Sequence, residues 1–416
     1  MPYYRRVGDI PPKRHRQFRD GAGQLYAEEL MSSVGFSEES ALLYHRRPPT
    51  EIVGAELVDG EPERLHENAP VLPRHFRLHE CKQGGDVVTG RTVILANDDV
   101  RISYVVAVGT SPLVRNATGD ELLYMEAGSA RLESVFGRLE ARTGDYVVVP
   151  AHTTHRWVVT GDGPARVLVA EAAGHVNVPA RYLSTRGQLK EGAPYSERDV
   201  RGPTDPLLAA DLEDAGEDAG GPSAADRSGS AGSGMTGATR EGVPVLVRTK
   251  SGLTCYWYAS HPFDVVGWDG CLYPWALSIH DFEPIVGRVH QPPPVHQTFA
   301  GPNFVVCSFV PRPFDFDPEA VPVPYSHANV DSDEVLFYVG GDFMSRAGSG
   351  IGQGSVSLHP SGFIHGPQPG SVEKALGKPG TDELAVMIDT FRPLRLGQAA
   401  LDVEDEAYPW TWARRG

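Results

Sequence analysis

One pair of linked spacings occurs twice in this chain, and that repetition limits the possible folds more than any other feature. In the second half, His327, Asn329, Glu334 and Gly341 follow the order histidine, x, histidine, four residues, glutamate, six residues, glycine, with asparagine at the second histidine. Gly354, Pro360, Gly362 and His365 come next, spaced as glycine, five residues, proline-x-glycine, two residues, histidine. In the first half, Glu121 stands seven residues before Gly128, and Gly144, Pro150 and His155 keep the second spacing. Val114 and Asn116 fill the two histidine positions of that copy. The first copy keeps a scaffold and lacks most of its polar residues.

The segments carrying these motifs are short, β-branched and broken by turn residues, which is the rhythm of antiparallel sheet. "RTVILANDDVRISYVVAVG", "GSARLESVFGRLEARTGDYVVVPA", "ARVLVAEAA", "NFVVCSFVPRPF", "DEVLFYVGGDF", "GSVSLHPSG" and "ELAVMIDTF" all read as strands near the usual length of about five or six residues. Only "GQLYAEELMSS" predicts a short helix. Near residue 198 the chain turns acidic, small and glycine-rich, with few large apolar side chains to drive folding. These shifts divide it into an N-terminal arm over 1–60, a strand-rich unit over 61–197, an acidic Gly/Ser-rich disordered linker over 198–243 and a second strand-rich unit over 244–416.

A length of 416 residues allows two cores of ordinary size. The formal net charge of −16 disfavours nucleic acid or an anionic membrane as partner and leaves a small molecule as the expected one. Cys81, Cys255, Cys271 and Cys307 are scattered without a CxxC pair, so they suggest neither a zinc cage nor a disulfide framework. With no membrane-length apolar run and a polar beginning, "MPYYRRVGDIPPKRHRQF", a cytoplasmic location is expected.

The paired motifs resemble those of the cupin superfamily, whose fold is a small jelly-roll barrel with a metal held near one mouth. Because the resemblance covers both halves, it implies an all-β bicupin: two jelly-roll barrels in tandem, the first degenerate. Alternate residues on a strand face the same side, so His327 and Asn329 are both expected to point into a barrel. Glu334 enters from the following strand, and His365 from a neighbouring hairpin whose Gly354 and Gly362 permit the turns. Two imidazoles and one carboxylate cap one face of a metal and leave the other open, the arrangement of non-haem Fe(II) oxygenases. Among the clustered acids, Glu334 keeps the spacing to Gly341 and is favoured as ligand, with Asp333 as the alternative. Asp331 and Asp333 are otherwise read as solvated turn acids.

Longer stretches narrow the resemblance. "GDIPPKRHRQFRDGAGQLYAEELMSSVGFSEESALLYHRRPPT", "HPFDVVGWDGCLYPWALSIHDFEPIVGRVHQPPPVHQTFAGPNFVVCSFVPRPFDF" and "SLHPSGFIHGPQPG" look like homogentisate 1,2-dioxygenase and its bacterial relatives. The resemblance implies an iron bound by His327, Glu334 and His365, and two further active-site histidines at His296, with His290 close by, and His359. It also implies Fe(II) as cofactor, O2 and a small aromatic acid as partners, opening of homogentisate to maleylacetoacetate in tyrosine and phenylalanine catabolism, and a homo-oligomer. Two departures stand out. Seven residues separate His327 from Glu334, one more than in the animal-type enzymes, and Phe343 stands where those enzymes place a substrate-contacting tyrosine. Arg346, near a basic position of the family, is read either as a partner for a substrate carboxylate or as an exposed strand-end arginine. A sibling dioxygenase acting on gentisate, hydroxyanthranilate or a substituted homogentisate, a Zn(II) or Mn(II) cupin isomerase or hydrolase, and a non-catalytic bicupin are the alternatives. The first barrel is expected to be a structural partner, with His155 as a remnant.

Overall fold

The structure, a computed structural model, describes residues 3–58, 63–214 and 242–413. Among the described residues the chain is almost wholly antiparallel sheet, and the longest α-helix is the six-residue Ala209–Asp214. It forms two jelly-roll barrels, joined back to back. The first barrel pairs a nine-stranded sheet centred on Glu121–Ala127 and Ala165–Ala172 with a seven-stranded sheet containing Ser129–Ser134 and His155–Val159. The second has a six-stranded sheet in the order Gln297–Gly301, Phe304–Phe309, Leu384–Thr390, Asp333–Gly340, Ser355–His359, Arg74–Arg77. Facing it are two short ribbons, Arg312–Pro313 with Gly380–Thr381 and His327–Ala328 with Ile364–His365.

Each large sheet is apolar on both faces, which explains why its strands read as nearly unbroken apolar runs. In Glu121–Ala127, Leu123 and Met125 point into the first barrel beside Leu132 and Trp157, while Leu122 and Tyr124 point the other way. In Asp333–Gly340, Val335, Phe337 and Val339 join that outer core, while Leu336 and Tyr338 line the second barrel with Cys307 and Met387. The strand period of two sorts the residues. Between the barrels, aromatic rings carry the contact: Tyr104 lies 6.0 Å from Phe337 and Tyr146 lies 5.1 Å from Phe299, centroid to centroid. Such pairs contribute about 0.5–1.5 kcal/mol each beyond their buried area. The hydroxyls of Tyr146 and Ser308 also meet at 2.8 Å.

The halves exchange strands. Arg74–Arg77 comes from the first half and completes the six-stranded sheet beside Ser355–His359. Arg395–Gly397, near the C-terminus, joins the first barrel's nine-stranded sheet. After the expected linker, Val243–Thr249 and Gly252–Tyr258 extend the seven-stranded sheet, and Trp275–Ser278 pairs with Asp145–Val149. The division at 244 is therefore not a division between sheets. Composition marks where apolar residues run out, and says nothing of which sheet the next strand enters.

Two further expectations change. "GQLYAEELMSS" is not helical: Ala27–Ser32 pairs with Ser40–His45 in a four-stranded sheet, where Met31 is buried and cross-strand pairing outweighs helix propensity. The start of the expected linker is packed: Val200–Arg201 pairs with Trp275–Ser278, and Leu207 and Leu212 are buried. The rest of the expected linker, 215–241, lies outside the described residues. The four cysteines are free, and no helix among the described residues is long and apolar enough to cross a membrane.

Buried His45 ties three segments of the N-terminal sheet together, its ring nitrogens 2.6 Å from Asp264 and 2.9 Å from Glu29. Burial alone would lower its pKa, but the two carboxylates outweigh it and raise it to about 9. A folded-state pKa above the unfolded value of about 6.5 stabilises fully below pH 6.5 and loses that contribution as pH rises through 9. His45→Gln is therefore expected to cost on the order of 3 kcal/mol at pH 6 and little at pH 10, read by denaturant unfolding at both pH values.

Candidate metal centre

Donors converge from the six-stranded sheet and from the ribbon facing it. Glu334 is the second residue of the strand Asp333–Gly340 and points into the barrel. In the ribbon, His327 is the direct cross-strand partner of His365, with ring centroids 4.3 Å apart. Each ring is fixed by the carbonyl two residues before it: His327 Nδ1 lies 3.1 Å from Tyr325 O and His365 Nδ1 lies 3.3 Å from Phe363 O. That leaves both Nε2 atoms facing Glu334, at 3.5 Å from Oε2 for His327 and 3.3 Å from Oε1 for His365. The three donor atoms lie within 4.8 Å of one another.

These residues fit a metal ion. With each Nδ1–H donated to a carbonyl, the tautomer that this network assigns, each Nε2 presents a lone pair to a carboxylate oxygen. Lone pairs facing at this range repel unless a cation lies between them. The spacing suits donors that bind one ion at roughly 2.0–2.2 Å, and the anchored Nδ1 atoms are the support that metal-ligating histidines usually have. Burial would raise the Glu334 carboxyl, but its polar contacts with His327, His359 and His365 outweigh it and hold the group well below the usual range.

The other predicted residues take different places. Asp333 is buried and faces away from Glu334, as adjacent strand residues must. Its carboxylate accepts from the backbone N–H of Ser361 at 2.9 Å and of Leu394 at 2.8 Å. It is thus neither a solvated turn acid nor within reach of the donors, whereas Asp331 is exposed. His359, expected in a catalytic role, is fully buried behind Glu334 and does not line the cavity. Directly opposite Glu334 in the sheet, it binds Oε1 through Nδ1 at 2.7 Å, while its Nε2 accepts from the Tyr408 hydroxyl at 2.9 Å. Burial first, and then Arg346, lower its pKa to about 3, so it is neutral and serves to position the carboxylate.

His327 and Glu334 line a cavity of about 300 Å³. His296 lines it, buried, with Nδ1 unpartnered, and burial followed by Arg312 lowers its pKa to about 3. His290 stands at the mouth, exposed and 3.3 Å from Asp315. Arg346 is not an exposed strand-end residue. It is buried against the cavity, donating to Gly366 O at 2.7 Å and to the Tyr338 hydroxyl at 3.1 Å. Phe343 stays outside the cavity, edge-on to Tyr338 at 5.0 Å. Sequence reasoning missed Arg312, Tyr408 and Asp389. Asp389 lies on the cavity wall with Oδ1 unpartnered, and burial and then the Glu334 charge raise its pKa to about 8. Its signal was parity: in "ELAVMIDTF" it shares the inward face with Met387.

The first barrel holds a different solution at the matching place. Glu121 corresponds to Glu334, and its carboxylate meets the buried Arg91 guanidinium at 2.8 Å, while Glu171 meets the same group at 3.1 Å. Burial would raise Glu121, but Arg91 outweighs it and brings the group to about 2. Asn116 also donates to Glu121, at 3.0 Å, and His155 is anchored through Nδ1 on Thr153 O at 2.9 Å, as His365 is on Phe363. An arginine side chain supplies the positive charge. His152 takes the turn before His155 at φ 70°, where the second copy has Gly362 at φ 82°.

The cupin domain family profile matches residues 102–171. A protein of Saccharolobus solfataricus called "Putative dioxygenase SSO1533" is 37% identical over 418 residues, covering 99% of each chain. Homogentisate 1,2-dioxygenase of Rhodopseudomonas palustris is 27% identical over 94% of this chain and 86% of its own, and that of Emericella nidulans 24% over 62% and 52%. Among solved structures, a variant of Bacillus subtilis oxalate decarboxylase aligns over 80% of this chain and 79% of its own, with 13% identity and a TM-score of 0.31.

Protein given a divalent transition metal is expected to retain one equivalent after dialysis. His365→Ala and Glu334→Gln should each weaken retention by more than about 100-fold, since the ligands matter at least as much as the groups behind them. Asp333→Asn should keep the metal and instead lose about 1–3 kcal/mol of stability. Metal analysis and denaturant unfolding separate the two results.

Proposed function

The chain belongs to the cupin dioxygenase family, and from that membership we propose an Fe(II)-dependent ring-cleaving dioxygenase that converts homogentisate and O2 to maleylacetoacetate. The observation that carries this reading is a donor set of two imidazoles and one carboxylate, of which His327 and Glu334 line a cavity of about 300 Å³ that also holds a buried guanidinium. Fe(II) held by His327, Glu334 and His365 would supply a Lewis acid for a phenolic oxygen and an electron source for dioxygen.

The chain's own residues account for binding and orientation. Arg346 has no carboxylate within ion-pair distance among the described residues, and burial makes such a cation a strong site for a substrate carboxylate. Arg312 is less available, because Glu383 lies 3.7 Å away. His296, neutral and unpartnered at Nδ1, can accept a hydrogen bond from a ring hydroxyl. Phe309 packs on the His296 ring at 4.6 Å, and Leu336 and Met387 give the cavity an apolar wall for an aromatic ring. His359 and Tyr408 keep Glu334 in place from behind. We also propose that the working form is a homo-oligomer.

Adding homogentisate and air to the Fe(II)-loaded protein tests the reaction. One O2 consumed per ring, with a product heavier by both oxygen atoms, is the expected result. Gentisate and hydroxyanthranilate should react more slowly. Arg346→Met is expected to raise KM for homogentisate by about 10- to 100-fold, the range for losing a charge-assisted contact. Faster turnover of another ring would reassign the substrate, and activity with Zn(II) but not Fe(II) would refute the oxygenase reading.

A further inference from the structure

Asp389 is a carboxyl group of the cavity wall that the reading above does not use. It sits on Leu384–Thr390, directly across from Glu334 in the antiparallel register, so both side chains emerge on the same face. Its Oδ1 is shielded from solvent and has no hydrogen-bond partner. Leaving a shielded polar atom unpaired costs stability, and such an atom in a native structure calls for an explanation.

The first barrel supplies an internal comparison. There Glu171 holds the matching position, directly across from Glu121. It is fully engaged, 3.1 Å from Arg91 and 2.8 Å from Arg248. The second barrel preserves the acid, and among the described residues no cation lies within ion-pair distance of it. A cavity large enough for a small aromatic acid replaces the arginine.

We infer that Asp389 is a specificity-determining residue that hydrogen-bonds a ring hydroxyl of the substrate, so that with His296 it provides two acceptors for the two hydroxyls of a dihydroxylated ring. A hydroxyl both donates and accepts, so it can satisfy a carboxyl group in either protonation state. The substrate class is therefore a ring diol with an acidic side chain, rather than a monophenol. This inference rests on the proposed function for its choice of ligands.

The test measures anaerobic binding by calorimetry, which needs no turnover, using Fe(II)-loaded wild-type protein, Asp389→Ala and Asp389→Asn. The ligands are homogentisate and its monohydroxy analogue 2-hydroxyphenylacetate. Asp389→Ala is expected to weaken homogentisate by about 10- to 100-fold and the analogue by less than about twofold, with unchanged metal content. Asp389→Asn, whose amide oxygen still accepts, should recover most of the loss. Equal weakening of both ligands, no change for either, or loss of metal from the variants overturns the assignment. Wild-type protein that binds neither ligand overturns both this inference and the proposed function. Selective binding without oxygen uptake upholds Asp389 and overturns the proposed reaction alone.

Discussion

A single carboxylate, Glu334, organises the second barrel. Three imidazoles converge on it, His359 from behind at 2.7 Å and His327 and His365 from the front at 3.5 and 3.3 Å. A buried carboxylate is costly unless its charge is compensated. Here the rear histidine orients it through a hydrogen bond, and the front pair leaves a gap suited to a cation. The stack of His359 on His365, with centroids 4.2 Å apart, links the two roles, so a shift in one ring moves the other.

That geometry needs a stiff support, which the second barrel alone does not supply. Its inner cluster is small, centred on Cys307, Leu336, Tyr338 and Met387. The larger core lies between the barrels, where residues of both sheets pack together. Arg74–Arg77 from the first half further secures the strand that carries His359. Interiors packed in this way resist compression and hold side chains in place. The degenerate copy thus acts on the site by bracing the sheet that bears Glu334.

Much of this was legible in the sequence because it depends on local spacing. The two motif pairs placed His327, Glu334 and His365, and alternation placed the strands. Less was legible wherever one position is read identically by two neighbours. The adjacent acids Asp333 and Glu334 differ only in which face of the strand they occupy, and a one-residue difference in register would exchange them. His359 carries a motif-like signature, yet its burial behind Glu334 depends on Tyr408, about fifty residues on. Asp389 and Arg91 were not marked by any motif. Each gains its meaning from a partner brought close by sheet pairing, Glu334 for the one and Glu121 with Glu171 for the other. The exchange of strands between halves was equally hidden, since composition does not encode which sheet edge is open.

Arg91 separates the fates of the two copies. A guanidinium built into the polypeptide cannot be chelated, oxidised or exchanged, so the first barrel arrives at the ribosome's exit with its counter-charge already attached. The second offers three donors and no such built-in cation among the described residues, so a metal bound there would be acquired after synthesis. The duplicated architecture therefore joins a self-sufficient frame to one whose counter-charge comes from outside the chain.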